Sequence, residues 1–227
     1  MPDKYPSMRA LYADPMNVEG TTYGKRWKRH EWIQLVEAQA IDNPETEKVV
    51  LAIHGGGIEG GTSEVALAVA GFHPATFAQA TDGLGFHDLW IFEGLLSSSN
   101  SNLHVTSTEY DDPIALELVQ NARRCISLHG FGDADAGGKN QIGGGDTELK
   151  SIVLQELTEA GIPARISTNP KRMEVIPLTF AIEPRAAPAY SWKWERLFAR
   201  HCLLLAAIPE NCARITRTLP SATWSEH

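Results

Sequence analysis

KVVLAIHGGGIEGGTSEVALAVAG, residues 48–71, decides the fold. The apolar run KVVLAIH (48–54) predicts a short strand buried on both faces. The glycines after it remove every side chain beside His54. A backbone that bare can turn sharply and let another group approach closely. Thr62 or Ser63 then supplies a cap for a helix through EVALAVA, and Gly71 stops it.

The same alternation runs outward from this unit. DLWIFEG (88–94) and NLHVTS (102–107) read as strands. DDPIALELVQNARRC (111–125) reads as a helix, with Asp112 at the cap and Pro113 in the first turn. It feeds CISLH (125–129), a buried strand ending in a histidine. DTELKSIVLQELTEAG (146–161) has helical apolar spacing at Leu149, Ile152, Val153, Leu157 and Ala160, and Gly161 closes it. PARIST (163–168) and IPLTFAIE (176–183) read as strands, and WKWERLFARHCLLLAAI (192–208) as a last helix. Strands alternating with helices predict an α/β fold: a three-layer sandwich with a mixed, largely parallel sheet flanked by helices. Residues 1–20 read as an irregular arm and 21–227 as a single catalytic domain.

Bulk composition narrows the function classes. With 227 residues, 43% hydrophobic and 21% charged, the chain is long enough for one sizeable core. No apolar run approaches the ~20 residues of a membrane helix. The opening MPDKYPSMRALYADP lacks the apolar region of a secretory signal, so a cytoplasmic chain is expected. Cys125, Cys202 and Cys212 form no C-x-x-C pair, and an odd count argues against a disulfide framework. A net charge of −8 gives no global attraction to nucleic acid or anionic membrane. The basic stretch GKRWKRH (24–30) therefore reads as a solvated face or edge strand. No G-x-S-x-G and no G-x-x-x-x-G-K-[ST] occurs, which disfavours serine hydrolases and P-loop enzymes.

In open α/β sheets, sites gather at the carboxyl ends of strands. His54, His129 and Glu183 each close a predicted strand. A lone histidine there is ordinarily a hydrogen-bonded structural residue. Taken with Glu59 in the loop after His54, two imidazoles and a carboxylate suit zinc and leave a fourth position for water. Zinc lowers the pKa of such a water to ~7 and polarises a carbonyl. A further acid must take the proton and hand it to the leaving amine, a role open to Glu183. Arg185, two residues on, shares its face if the strand persists. Lys171 and Arg172 are further cations for a substrate carboxylate. Glu64 falls in a helix's first turn, where it offsets the macrodipole. IGGGD (142–146) reads as a turn or an anion-binding nest. His73, His87 and His201 read as scattered surface or core residues, and Cys125 as a small core hydrophobe.

HGGGIEGGTSEVA (54–66), LHVTSTEYDDP (103–113), SLHG (127–130) and FAIEPR (180–185) stand in an order that resembles the phage and bacterial poly-γ-glutamate hydrolase family. That family is similar in fold to the zinc carboxypeptidases, and the resemblance covers roughly residues 48 to 205. It implies zinc bound by His54, Glu59 and His129, with Glu183 as general base. His104 has a counterpart in that family, but nothing in its spacing requires zinc, and it reads as a residue beside the ligands or a structural one. The implied activity is an endo-type, zinc-dependent amidohydrolase that cuts γ-glutamyl amide bonds through a zinc-activated water. The implied partner is an anionic γ-glutamyl polymer, met by a monomer with no nucleic-acid or membrane partner. A phage-encoded chain would leave the cell by lysis. Three readings compete: another zinc carboxypeptidase, a cell-wall amidase, and a non-catalytic zinc-bearing binding protein for an acidic polymer. Glu183 speaks against the last, since a binding module needs no general base.

Overall fold

The computed structural model of the chain describes residues 3–29, 34–36, 39–41, 48–78, 87–131, 139–168 and 179–182. Its strands are β1 (Tyr23–Lys28), β2 (Gln34–Val36), β3 (Gln39–Ile41), β4 (Lys48–Gly56), β5 (Asp88–Gly94), β6 (Arg124–Gly130), β7 (Asn140–Ile142), β8 (Ala164–Ile166) and β9 (Thr179–Ile182). Its helices are α1 (Met8–Ala13), α2 (Thr62–Ala70), α3 (Pro113–Asn121) and α4 (Thr147–Glu159). Seven strands form one open sheet in the order β1-β5-β4-β6-β9-β7-β8, and β2 pairs with β3 separately. β5, β4, β6 and β9 run parallel at the centre. β1 joins β5 antiparallel, and β7 joins β9 antiparallel. The sheet is mixed and mostly parallel, as the sequence implies.

Two cores show why β4 carries an unbroken apolar run. Val49, Leu51 and Ile53 pack with Trp90, Phe92 and Cys125 against Met8 and Leu11 of α1 and Ala115 and Leu118 of α3. Val50 and Ala52 pack with Leu89, Ile91, Ile126 and Leu128 against α2 and α4. Alternate residues of one strand thus bury opposite faces, which gives three layers. Cys125 is a core residue, as expected, and burial pushes its thiol up to about 12. Asp112 and Asp146 cap α3 and α4.

Several local readings need correction. The first twenty residues are not irregular throughout: Ser7 caps α1, and Tyr5, Met8 and Leu11 are buried. NLHVTS is not a strand. Turns of 3-10 helix occupy Asn100–Leu103 and Ser107–Glu109, and Val105 O and Thr106 N between them are held by side chains. Val105 O meets His54, and Thr106 N donates to Asp3. Thr62 and Ser63 do not cap α2, which begins after Gly61 with no side-chain cap. Their hydroxyls serve the preceding loop instead: Thr62 Oγ1 donates to Glu59 O (2.8 Å), and Ser63 Oγ accepts from Gly56 N (3.0 Å). The helix read from DDPIALELVQNARRC ends at Asn121, because Cys125 already pairs with Val49 in the sheet. The expected last helix at 192–208 lies outside the described residues.

Of GKRWKRH, residues 24–28 lie in the edge strand β1. Lys25, Arg26 and Arg29 are ion-paired with Glu19, Glu93 and Glu117. Asp146 of IGGGD is the cap of α4, and Lys150 Nζ donates to Gly144 O at 2.8 Å.

Candidate metal centre

β4 and β6 are parallel neighbours, so His54 and His129 reach the same edge of the sheet. By alternation His54 would face the α2 side with Val50 and Ala52. The register of β4 against β5 instead shifts between Ala52 and Gly55. Such a bulge re-aims the side chains around it. The buried His54 ring consequently meets Val105 in the opposite core.

The glycines that follow are required by close approach. Gly56 has φ 60°, and a Cβ there would lie 2.7 Å from Gly94 O. The turn it permits is closed by Glu59 N donating to His54 O at 2.8 Å. Glu59 thereby folds back onto the strand that it has just left. Gly130 gives it room, since a Cβ there would stand 3.0 Å from Glu59 Cβ. Gly130 N also donates to Glu59 Oε2 at 2.8 Å.

Three of the expected residues therefore converge. Nδ1 of His54 lies 3.1 Å from Nδ1 of His129 and 3.2 Å from Glu59 Oε1. His129 Nδ1 lies 3.5 Å from Glu59 Oε2. The far nitrogens are occupied: His54 Nε2 by Val105 O at 2.8 Å, His129 Nε2 by Ser127 Oγ at 2.9 Å. A carbonyl only accepts, so His54 Nε2 carries the proton and its Nδ1 presents a lone pair. That lone pair faces a carboxylate oxygen, an arrangement that repels unless a proton or a cation lies between. Burial alone would raise the Glu59 carboxyl. With His129 and His54 as protonated donors, their hydrogen bonds and charge outweigh it and hold the group down at about 2, so the carboxyl is ionised when positive charge sits between these groups.

His104 joins the cluster on a different footing. Possible ligand atoms of His54, Glu59 and His104 all lie within 4.8 Å of one another. Ring orientation separates the two possible partners of His54 and Glu59. His129 stands edge-on to His54, at 65° with centroids 5.0 Å apart, so the two Nδ1 lone pairs can converge on a point. His104 lies stacked on His54, at 26° and 4.0 Å. Imidazole lone pairs lie in the ring plane, and those of stacked rings run nearly side by side. His104 Nδ1 is in addition held by Asp3 Oδ1 at 2.7 Å.

Glu183, Arg185, Lys171 and Arg172 lie outside the described residues, as does His201. β9 pairs Ile182 with Gly130, one residue before Glu183 in the chain. Among the scattered residues, His73 is exposed and accepts from Ala75 N, and Glu64 is exposed in the first turn of α2. Asp3 was not singled out by any motif, and neither was Ser127 for its own sake. Ser127 has a signal in hindsight, two residues before His129 on one strand face.

An open, mostly parallel sheet whose carboxyl edge gathers histidines and a carboxylate able to hold a metal ion defines an α/β protein of the hydrolase-like open-sheet kind. More narrowly, the chain belongs to the poly-gamma-glutamate hydrolase family, whose model matches residues 36–177. Two Bacillus subtilis (strain 168) relatives are the UPF0714 protein YndL, 41% identical over 116 residues, and the SPbeta prophage-derived UPF0714 protein YoqZ, 36% identical over 125. Those alignments take in 51% and 55% of this chain but 40% of each relative's length. Among solved structures, a bacteriophage poly-gamma-glutamate hydrolase is similar at TM-score 0.66 and 25% identity, over 91% of this chain and 97% of that one. A zinc-free apo form of YndL is similar at TM-score 0.65 and 26% identity, over 91% and 100%.

Proposed function

We propose that the chain is a zinc-dependent amidohydrolase that cuts γ-glutamyl amide bonds inside poly-γ-glutamate. One observation carries the reading: the mutual spacing of His54 Nδ1, His129 Nδ1 and the Glu59 carboxylate, at 3.1, 3.2 and 3.5 Å. Ligands ~2.05 Å from a tetrahedral zinc stand roughly 3.3 Å apart. The donor set therefore fits the ion, and the occupied far nitrogens match the way metal-binding histidines are oriented. The solved zinc-free form of YndL supports the same choice of metal.

His54, Glu59 and His129 hold the zinc in this reading, and His104 stays beside them. Zinc, when bound, polarises a carbonyl and lowers the pKa of a water to about 7. Glu183 then takes a proton on its carboxylate from the attacking water and passes it to the leaving nitrogen. Arg172, Lys171 and Arg185 are the candidate partners of the substrate carboxylates. A γ-linked chain carries its α-carboxylate directly beside each scissile amide. An α-linked chain carries it an ethylene farther out. A fixed cation separates the two, because an unmatched buried charge costs several kcal/mol.

The test is incubation of zinc-loaded protein with poly-γ-glutamate and with poly-α-glutamate, products sized by mass. Internal cuts in the γ polymer alone are expected. Equal rates on both would leave a general zinc peptidase. Single glutamates released from the start would favour a carboxypeptidase-like mode, and no cleavage of either would bring forward the cell-wall amidase and the binding protein.

A further inference from the structure

Asp3 is remote in sequence from every motif of the site and lies outside the family match at 36–177. Its carboxylate nonetheless spends all of its described contacts on the segment beside His54. Oδ1 accepts from His104 Nδ1 at 2.7 Å. Oδ2 accepts from Thr106 N at 2.6 Å and Thr106 Oγ1 at 2.7 Å. The segment that carries Asp3 is itself anchored. Tyr5, Met8 and Leu11 are buried in the core that holds Val105, and Tyr12 OH donates to Asp112 Oδ2 at 2.7 Å.

We propose that Asp3 is a positioning residue that fixes the tautomer of His104, so that His104 Nε2 offers an accepting lone pair beside His54. A carboxylate only accepts, so the proton of neutral His104 sits on Nδ1 and Nε2 is the acceptor. The ring is stacked at 4.0 Å on that of His54, and one of its nitrogens lies within 4.8 Å of ligand atoms of His54 and Glu59, so the ring belongs to the site's own cluster. Nε2 is there to accept a hydrogen bond from the substrate amide or the attacking water. This role rests on the amidohydrolase reading; the tautomer assignment does not. The fold thus makes the first turn of the chain part of the site's assembly, which no motif near His54 or His129 records.

Asp3→Asn breaks the arrangement in a defined way. Thr106 N–H needs an acceptor, so the amide oxygen stays on Thr106 and the amide NH2 faces His104. Nδ1 must then accept, and the proton moves to Nε2. The experiment uses the full zinc-loaded chain, with histidine ring 15N–1H correlations assigned by His104→Gln. Nδ1–H is expected in the wild type and Nε2–H in Asp3→Asn. Zinc affinity is expected to stay unchanged, while turnover of poly-γ-glutamate falls about 10–100-fold with little change in KM. Thr106→Val is the control for simple docking: it removes one hydroxyl contact, lowers Tm and keeps the wild-type tautomer and turnover. The same tautomer in wild type and Asp3→Asn overturns the proposal, as does full turnover with a switched tautomer or an equal loss in Thr106→Val. A wild type that leaves poly-γ-glutamate intact defeats the amidohydrolase reading, and the tautomer exchange still decides the assignment of Asp3.

Discussion

Glu59 and Asp3 hold histidines in one small volume and reach them by opposite routes. Glu59 follows His54 by five residues and is folded back by a turn built on glycine. Asp3 meets His104 across 101 residues of chain. Their surroundings differ in kind. Among the described residues Asp3 faces only donors, His104 Nδ1–H, Thr106 N–H and the Thr106 hydroxyl. Among the described residues Glu59 has one certain donor, Gly130 N, and otherwise faces the Nδ1 atoms of two histidines. One of those presents a lone pair. A carboxylate among donors orients a ring, whereas a carboxylate among lone pairs calls for a cation.

Removing a ligand is the strongest way to break that comparison. The wild type should carry about one zinc per chain, and His54→Ala or His129→Ala should lose most of it together with all measurable turnover, since two remaining donors no longer define the site. His104→Ala should keep its zinc. Metal analysis of the three purified variants checks this, and a His104→Ala protein as depleted as His129→Ala would move the third ligand to the stacked ring. Glu183→Gln comes next. It should keep both zinc and fold and lose at least ~10²-fold in turnover, the usual contribution of general acid–base catalysis. Loss of zinc in that variant would show ligand and base exchanged.

The Glu59 side of the comparison was legible in the sequence, and the Asp3 side was not. An apolar run closed by His54, a bare turn and an acid five residues on encode much of their own geometry, because the bond that closes the turn, Glu59 N to His54 O, is local. The parallel pairing that brings in His129 followed from a general rule about strand ends. What failed was local backbone commitment. Thr62 and Ser63 have the chemistry of helix caps, yet their hydroxyls are drawn to Glu59 O and Gly56 N by a loop whose shape propensity does not describe. NLHVTS alternates like a strand, but its backbone is held by His54 and Asp3, partners far away in the chain. The first twenty residues look polar and loose, and only the packing of Tyr5, Met8 and Leu11 reveals their place. The side chains of 171–185 lie outside the described residues, so the base and the substrate cations rest on sequence.

Ser127→Ala gives the smallest expected effect and the sharpest separation of the two carboxylates' roles. Ser127 Oγ holds His129 Nε2 at 2.9 Å, as Val105 O holds His54 Nε2. Removing the hydroxyl frees the His129 ring to turn and leaves Nε2 to what water can reach it; the side chain is 12% exposed. The cost should be about 1 kcal/mol of stability, read as a small fall in Tm. Zinc affinity should fall about tenfold, measured by competition with a chelator, because the ring that supplies Nδ1 is no longer held in place. The His104 tautomer should not change. Asp3→Asn should give the converse, a switched tautomer at unchanged zinc affinity. If the metal instead used His104, the pattern would invert: Asp3→Asn would weaken zinc and Ser127→Ala would leave it alone. Two single-atom changes thus discriminate between the edge-on and the stacked histidine as partner of His54 and Glu59, without removing either ring.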